Sequence, residues 1–144
     1  MKKKILALLI IVLTSVFGLI TITVTDQTKN ISNNSLLNSN SYKSINSREL
    51  ASLMSTKKFV FVNVHIPYEG EIKKTDLFIP YNEIGKNMLK LPKDKNAKII
   101  LYCRSGRMSE EAAQVLTKSG YTNVYNLTGG MISWEENGYT LLRK

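Results

Sequence analysis

The chain has 144 residues, 43% of them hydrophobic and 22% charged, with eight Gly and three Pro; this excludes wholesale disorder and fibrous classes and leaves room for one domain of about a hundred residues. The formal charge is +9, but from Ile45 onward fifteen Lys and Arg meet ten Asp and Glu, scattered and not interleaved with aromatics, which argues against a nucleic-acid partner. The single cysteine, Cys103, excludes an intramolecular disulfide and the usual structural zinc frameworks, so no metal is expected.

Met1-Lys2-Lys3-Lys4 precedes a run from Ile5 to Val24 that carries no charge. Such a run is long enough to cross a bilayer as a helix, and the lysines before it keep the N-terminus inside and send the rest across. Residues 1–24 are expected to be a signal anchor touching the membrane through residues 5–24. The domain then faces outside the cytoplasm, at a cell surface or in a periplasm. Thr21-Ile22-Thr23 and Thr23-Val24-Thr25 are poor cleavage sites; secretion after cleavage is the alternative. Residues 25–44, rich in Asn and Ser, have too little apolar surface to fold and are expected to be a flexible linker. Residues 45–144 are left for the folded domain.

Asn46 and Glu49 form a capping-box pattern ahead of Leu50, Leu53 and Met54, which predicts a short helix. Phe59 to Val64 and Lys98 to Tyr102 are β-branched, aromatic and aliphatic runs with little alternation, as expected of strands covered on both faces. Thr122 to Leu127 is a third candidate strand, and Phe78-Ile79 a short one before Pro80. Helical patterns run from Asn82 to Leu91, ended by Pro92, from Ser109 to Lys118, ended by Gly120, and from Gly130 to Glu136, ended near Gly138. Strands alternating with helices predict an α/β domain, a parallel sheet of about four to five strands with helices on both faces. Ligands of such sheets bind at the carboxyl ends of the strands.

Cys103 stands at such an end, directly after Tyr102. The loop Arg104-Ser105-Gly106-Arg107-Met108 is short and holds a glycine, so its amides can turn inward as a nest for an anion. Ser109 is expected to open the next helix, whose N-terminus adds partial positive charge at the same spot. That field and two guanidinium groups favour the thiolate, the nucleophilic form. Arg104 and Arg107 carry planar forks matched to oxyanions; Ser105 and Ser109 fit a turn former and a helix cap as well as substrate contacts. This reading needs a sulfur that solvent can reach and amides turned toward it.

Tyr102-Cys103-Arg104-Ser105-Gly106-Arg107-Met108-Ser109 resembles the active-site loop of rhodanese-like sulfurtransferases. Gly129-Gly130-Met131-Ile132-Ser133-Trp134 is similar to the family's terminal element, Gly120-Tyr121 and Val124-Tyr125 to its last strand, and Phe61-Val62-Asn63-Val64 to its central strand. The resemblance implies the three-layer rhodanese-like fold and transfer of a sulfane sulfur. Cys103 would attack an anionic donor such as thiosulfate, become a persulfide and pass the outer sulfur to cyanide, a thiol or a protein acceptor. Arg104, Ser105, Gly106, Arg107, Met108 and Ser109 would hold the donor, with no metal or organic cofactor. Asn63-Val64-His65 departs from the family's Asp-Val-Arg, and Gly70-Glu71-Ile72 from its Gly-His-Ile. His65, at a strand end, is read as a structural hydrogen-bonder outside the catalytic set.

Two other functions compete. A cysteine phosphatase or arsenate reductase would use a similar anion cradle, but that class closes a longer loop with Arg six positions after the cysteine, where this chain has Ser109. A non-catalytic binding module would not need the cysteine and the basic loop that are both present.

Overall fold

The computed structural model describes residues 41–143. The proposed anchor, and the linker as far as residue 40, lie outside the described residues. Five strands, β1 (Lys43–Ile45), β2 (Val60–Asn63), β4 (Leu77–Phe78), β5 (Ile99–Tyr102) and β6 (Val124–Leu127), form one sheet in the order β1-β6-β5-β2-β4. Every pairing in it is parallel. A separate antiparallel clip joins β3 (Glu71–Ile72) to β7 (Leu141–Leu142).

The apolar runs become the central strands because both faces of the sheet are covered. Ile99 and Leu101 point into one layer with Val62, Val64, Val124 and the helix α2 (Arg107–Lys118), through Ala112, Ala113 and Leu116. Ile100 and Tyr102 point into the other with Phe61, Leu127, Leu50 of α1 (Ser47–Met54), and Met131 and Trp134 of α3 (Gly130–Glu136). Helices therefore flank the sheet on both faces, as the strand and helix alternation predicted. The α1 capping box is complete: Glu49 N donates to Asn46 Oδ1, and Asn46 N to Glu49 Oε2, each at 2.9 Å.

Three differences from the sequence reading have physical causes. Lys43 and Ser44, assigned to the linker, belong to β1: the backbone ladder to Tyr125, Asn126 and Leu127 holds them, and Ile45 supplies the burial. Pairing across 80 residues is invisible to local composition. The stretch from Asn82 to Leu91 is two 3₁₀ turns, Tyr81–Glu83 and Met88–Lys90, not one helix. Asn82, Gly85 and Asn87 are poor helix formers, Asn87 Nδ2 binds the Glu83 carbonyl at 3.0 Å, and Leu89 is left 99% exposed. Finally, α2 opens at Arg107 with Gly106 as its cap, so Ser109 lies inside the first turn and does not cap it.

Tyr102, the residue before the cysteine, ties the sheet to the β3 region. Ile72 N donates to its hydroxyl at 3.0 Å. Thr75 Oγ1 gives its proton to the Ile72 carbonyl at 2.7 Å, which leaves Tyr102 to donate to Thr75 Oγ1 at 2.7 Å. Burial pushes the phenol up to about 12, against the opposing pull of these bonds. Replacing Tyr102 by Phe strands a buried amide, so we expect a loss of about 1–3 kcal/mol in urea unfolding. A change within error would show that water takes the hydroxyl's place.

Candidate active site

All the parallel strands of the sheet end on one edge, and there the loops after β2, β5 and β6 converge. Cys103 is the first residue beyond β5. Its Sγ accepts a hydrogen bond from Gly106 N at 3.1 Å and lies 3.5 Å from Ser109 Oγ. Gly106, at φ 99°, adopts a backbone that favours glycine, and this turn aims its amide back at the sulfur. The sulfur thus sits at the N-terminus of the twelve-residue α2, where the helix dipole favours negative charge. The inward amide expected from the sequence is present.

Accessibility is the point on which expectation and structure part. Cys103 is only 1% exposed and packs in the core cluster on the α2 side of the sheet. Arg104, Ser105 and Arg107 beside it are exposed, Met108 is half-buried against the α2 side of the core, and Gly106 and Ser109 are buried. Neither guanidinium is bonded to the sulfur. Arg104 Nε pairs with Glu69 Oε2 at 3.3 Å, and Arg107 pairs with Glu111 one helical turn on. Of the two conditions set by the sequence reading, the inward amide is met and solvent access at Cys103 is not.

Residues distant in sequence fix the loop. Ser109 Oγ donates to Asn126 Oδ1 at 2.7 Å, while Asn126 Nδ2 reaches the Gly106 carbonyl at 3.3 Å. From α3, Met131 N donates to the Cys103 carbonyl at 2.9 Å and Ile132 N to the Arg104 carbonyl at 3.0 Å. That approach needs a glycine: a Cβ at Gly130 would lie 2.3 Å from the Cys103 carbonyl oxygen. Asn126 and Gly130 were not among the expected site residues. The available signals were a polar side chain within a buried strand and a glycine pair at a helix start.

On β2, Asn63 fills its place by both donating and accepting. Its Nδ2 donates to the Gly70 carbonyl and its Oδ1 accepts from His65 N, each at 3.0 Å, which an ionised carboxylate cannot do. His65 is not the hydrogen-bonder expected. Both ring nitrogens are buried without a hydrogen-bond partner, and Nε2 faces Glu69 Oε1 at 3.5 Å, an ion-pair distance only. Glu69 therefore stands between His65 and Arg104. Among the described residues, no cluster of His, Cys, Asp and Glu is suited to a metal.

A family model for the rhodanese-like domain matches residues 46–137. The chain belongs to that family. A protein named sulfurtransferase from Allochromatium vinosum is 34% identical over 93 residues, covering 62% of this chain and 84% of that protein. A rhodanese-related protein from Thermoplasma volcanium superposes with a TM-score of 0.61 at 29% identity, covering 72% of this chain and all of that one. A rhodanese-like domain protein from Staphylococcus aureus gives 0.59 at 27% identity, over 71% and 98% respectively. In this fold the cysteine loop lies after β5 and before α2, at the carboxyl ends of the parallel strands.

The contact beneath the loop can be tested by comparing two glycines. Gly130→Ala meets backbone oxygens and should cost about 2–4 kcal/mol in chemical denaturation. Gly120→Ala, also at positive φ but with nothing within 4 Å, should cost only about 1–2 kcal/mol of backbone strain. Equal losses would mean that the close approach to Cys103 contributes nothing.

Proposed function

We propose that this chain is a sulfurtransferase that carries a sulfane sulfur on Cys103. The observation that carries the reading is the Gly106 amide held 3.1 Å from the Cys103 sulfur at the start of α2, in a chain of the rhodanese-like family. The likeness to the sulfurtransferase of A. vinosum supports it. The inward amide and the helix N-terminus direct partial positive charge at the sulfur.

In the first half-reaction the Cys103 thiolate attacks the outer sulfur of an anionic donor such as thiosulfate. The donor's S–S bond breaks, sulfite leaves with the bonding pair, and a persulfide remains on Cys103. Arg104 and Arg107 exchange their carboxylate partners for the oxyanion, and the Gly106 amide stays on the Cys103 sulfur. In the second half-reaction cyanide, a thiol or a protein acceptor attacks the outer sulfur, and the Cys103 thiolate is the leaving group. Ser105, Met108 and Ser109 shape the cup.

Intact-mass measurement of a fragment spanning residues 41–144 after thiosulfate treatment tests this. We expect a gain of one sulfur atom, reversed by cyanide and absent in Cys103→Ala. Arg107→Gln should load with the same end point but with a KM for thiosulfate raised about three- to tenfold. No mass gain from thiosulfate or any other sulfane donor would sink the sulfur-transfer reading.

The same reading includes a tether. Lys2, Lys3 and Lys4 followed by the uncharged run from Ile5 to Val24 support an anchor that leaves the domain outside the cytoplasm. Among the described residues no helix is long and apolar enough to cross a membrane. Expressed in full, the chain should resist alkaline extraction from membranes and be cut by protease added to intact spheroplasts. Release into the soluble fraction at full mass would overturn the tether and leave the chemistry untouched.

A further inference from the structure

His65 is the chain's single histidine, and its side chain is 7% exposed with neither ring nitrogen hydrogen-bonded. A buried polar group left in that state is costly, so a partner within reach matters. In the parallel ladder Asn63 of β2 stands beside Tyr102 of β5, and continuing that register brings His65 alongside Arg104. The loop leaving β2 returns Glu69 between them. Its Oε1 lies 3.5 Å from His65 Nε2 and its Oε2 3.3 Å from Arg104 Nε. One carboxylate thus offers one oxygen to each of two bases.

The remaining groups around the ring leave Glu69 as its partner. Among the described residues no other carboxylate lies within 4 Å of the imidazole. On the β4 flank, where Tyr81 N donates to the Val64 carbonyl, Ile79, Pro80 and Tyr81 bring only a phenol. Tyr68 packs edge-on against Phe78, and the Tyr102 hydroxyl is engaged by Ile72 and Thr75. Cys103 points into the layer on the α2 side. Glu135 and Arg143, which share a cavity wall with Glu69 and Arg104, hold each other at 2.7 Å.

We infer that Glu69 is a positioning residue for Arg104 and that His65 is its reserve partner: an oxyanion that takes Arg104 leaves Glu69 to His65, which gains a proton at Nε2. The inference rests on the sulfur-transfer reading for the identity of that anion, and adds the groups that govern its binding. While Arg104 is in place its charge balances Glu69, and the ring needs no proton. Once the guanidinium turns to the anion, an unbalanced carboxylate remains beside a buried ring with Nε2 open. A proton taken from solvent converts the 3.5 Å approach into a charge-assisted hydrogen bond. The sign follows from this exchange. Where His65 is already protonated, Glu69 has its partner and Arg104 is released; where the ring is neutral, the anion must compete with Glu69. Anion binding is therefore tighter on the acid side of the His65 titration, and by reciprocity a bound anion moves that titration to higher pH.

With one histidine present, a single imidazole signal reports the exchange when the untagged full-length protein, purified in mild detergent, is titrated by NMR. Arg104→Gln should raise the midpoint by about 0.5–1 pH unit, and the same change in a Glu69→Gln background should not. Saturating sulfate, at ionic strength held constant with chloride, should act like Arg104→Gln in the parent and be silent in Glu69→Gln. A midpoint that ignores Arg104→Gln, or one that rises equally in both backgrounds, overturns the proposal; an equal rise would be the direct field of Arg104 and not an exchange of Glu69. In turnover, the KM for thiosulfate of the parent relative to Glu69→Gln should rise about three- to tenfold from the acid to the alkaline side of the midpoint. Failure of the parent to load with thiosulfate while the histidine shifts are present overturns the sulfur-transfer reading and leaves the exchange standing, so the two failures are distinguishable.

Discussion

An amide hydrogen aimed at a sulfur is the contact on which the site depends, and little of what holds it there is local. Gly106 must turn through positive φ to present its N–H to Cys103. That turn is pinned on one side by Asn126 of β6, which reaches both Ser109 and the Gly106 carbonyl. It is pinned beneath by α3, whose first amides take the carbonyls of Cys103 and Arg104 because Gly130 has no side chain in the way. Three separate elements thus position a five-residue cup. The entropy of ordering an exposed loop is offset by contacts made largely with the rigid sheet and helices.

How much of this was legible in the sequence follows from the range of each interaction. The central strands could be read because burial on both faces demands unbroken apolar runs, as in Ile99 to Tyr102. The α1 start could be read because a capping box is closed within four residues. The cysteine loop was legible for the same reason, being one contiguous segment at a strand-to-helix junction. β1 was missed because its only signal is Ile45, and the 3₁₀ pair was overcalled because Ile84, Met88 and Leu91 keep a helical spacing that Gly85 and Asn87 undermine. Asn126 and Glu69 belong to the site's surroundings only through folding. No local pattern marks residues that meet across tens of positions.

Burial of Cys103 bears on how its neighbours act: the amide at 3.1 Å and the α2 N-terminus direct partial positive charge at the sulfur, and such contacts act more strongly where water is excluded. The charges at the rim differ in kind from the amide at the sulfur. Arg104 and Arg107 are 60% and 66% exposed in their side chains and already hold carboxylates, and exposed pairs of this type are worth about 0–1 kcal/mol. Exchanging a carboxylate for a donor oxyanion is therefore nearly free, and it requires only a swing of a long side chain. The Gly106 amide has less freedom, since the carbonyl of the same residue is held by Asn126 Nδ2 and Glu110 N. Under the sulfur-transfer proposal, donor binding would depend on the exposed guanidinium groups and on salt, and stabilisation of the sulfur on the backbone around a single glycine.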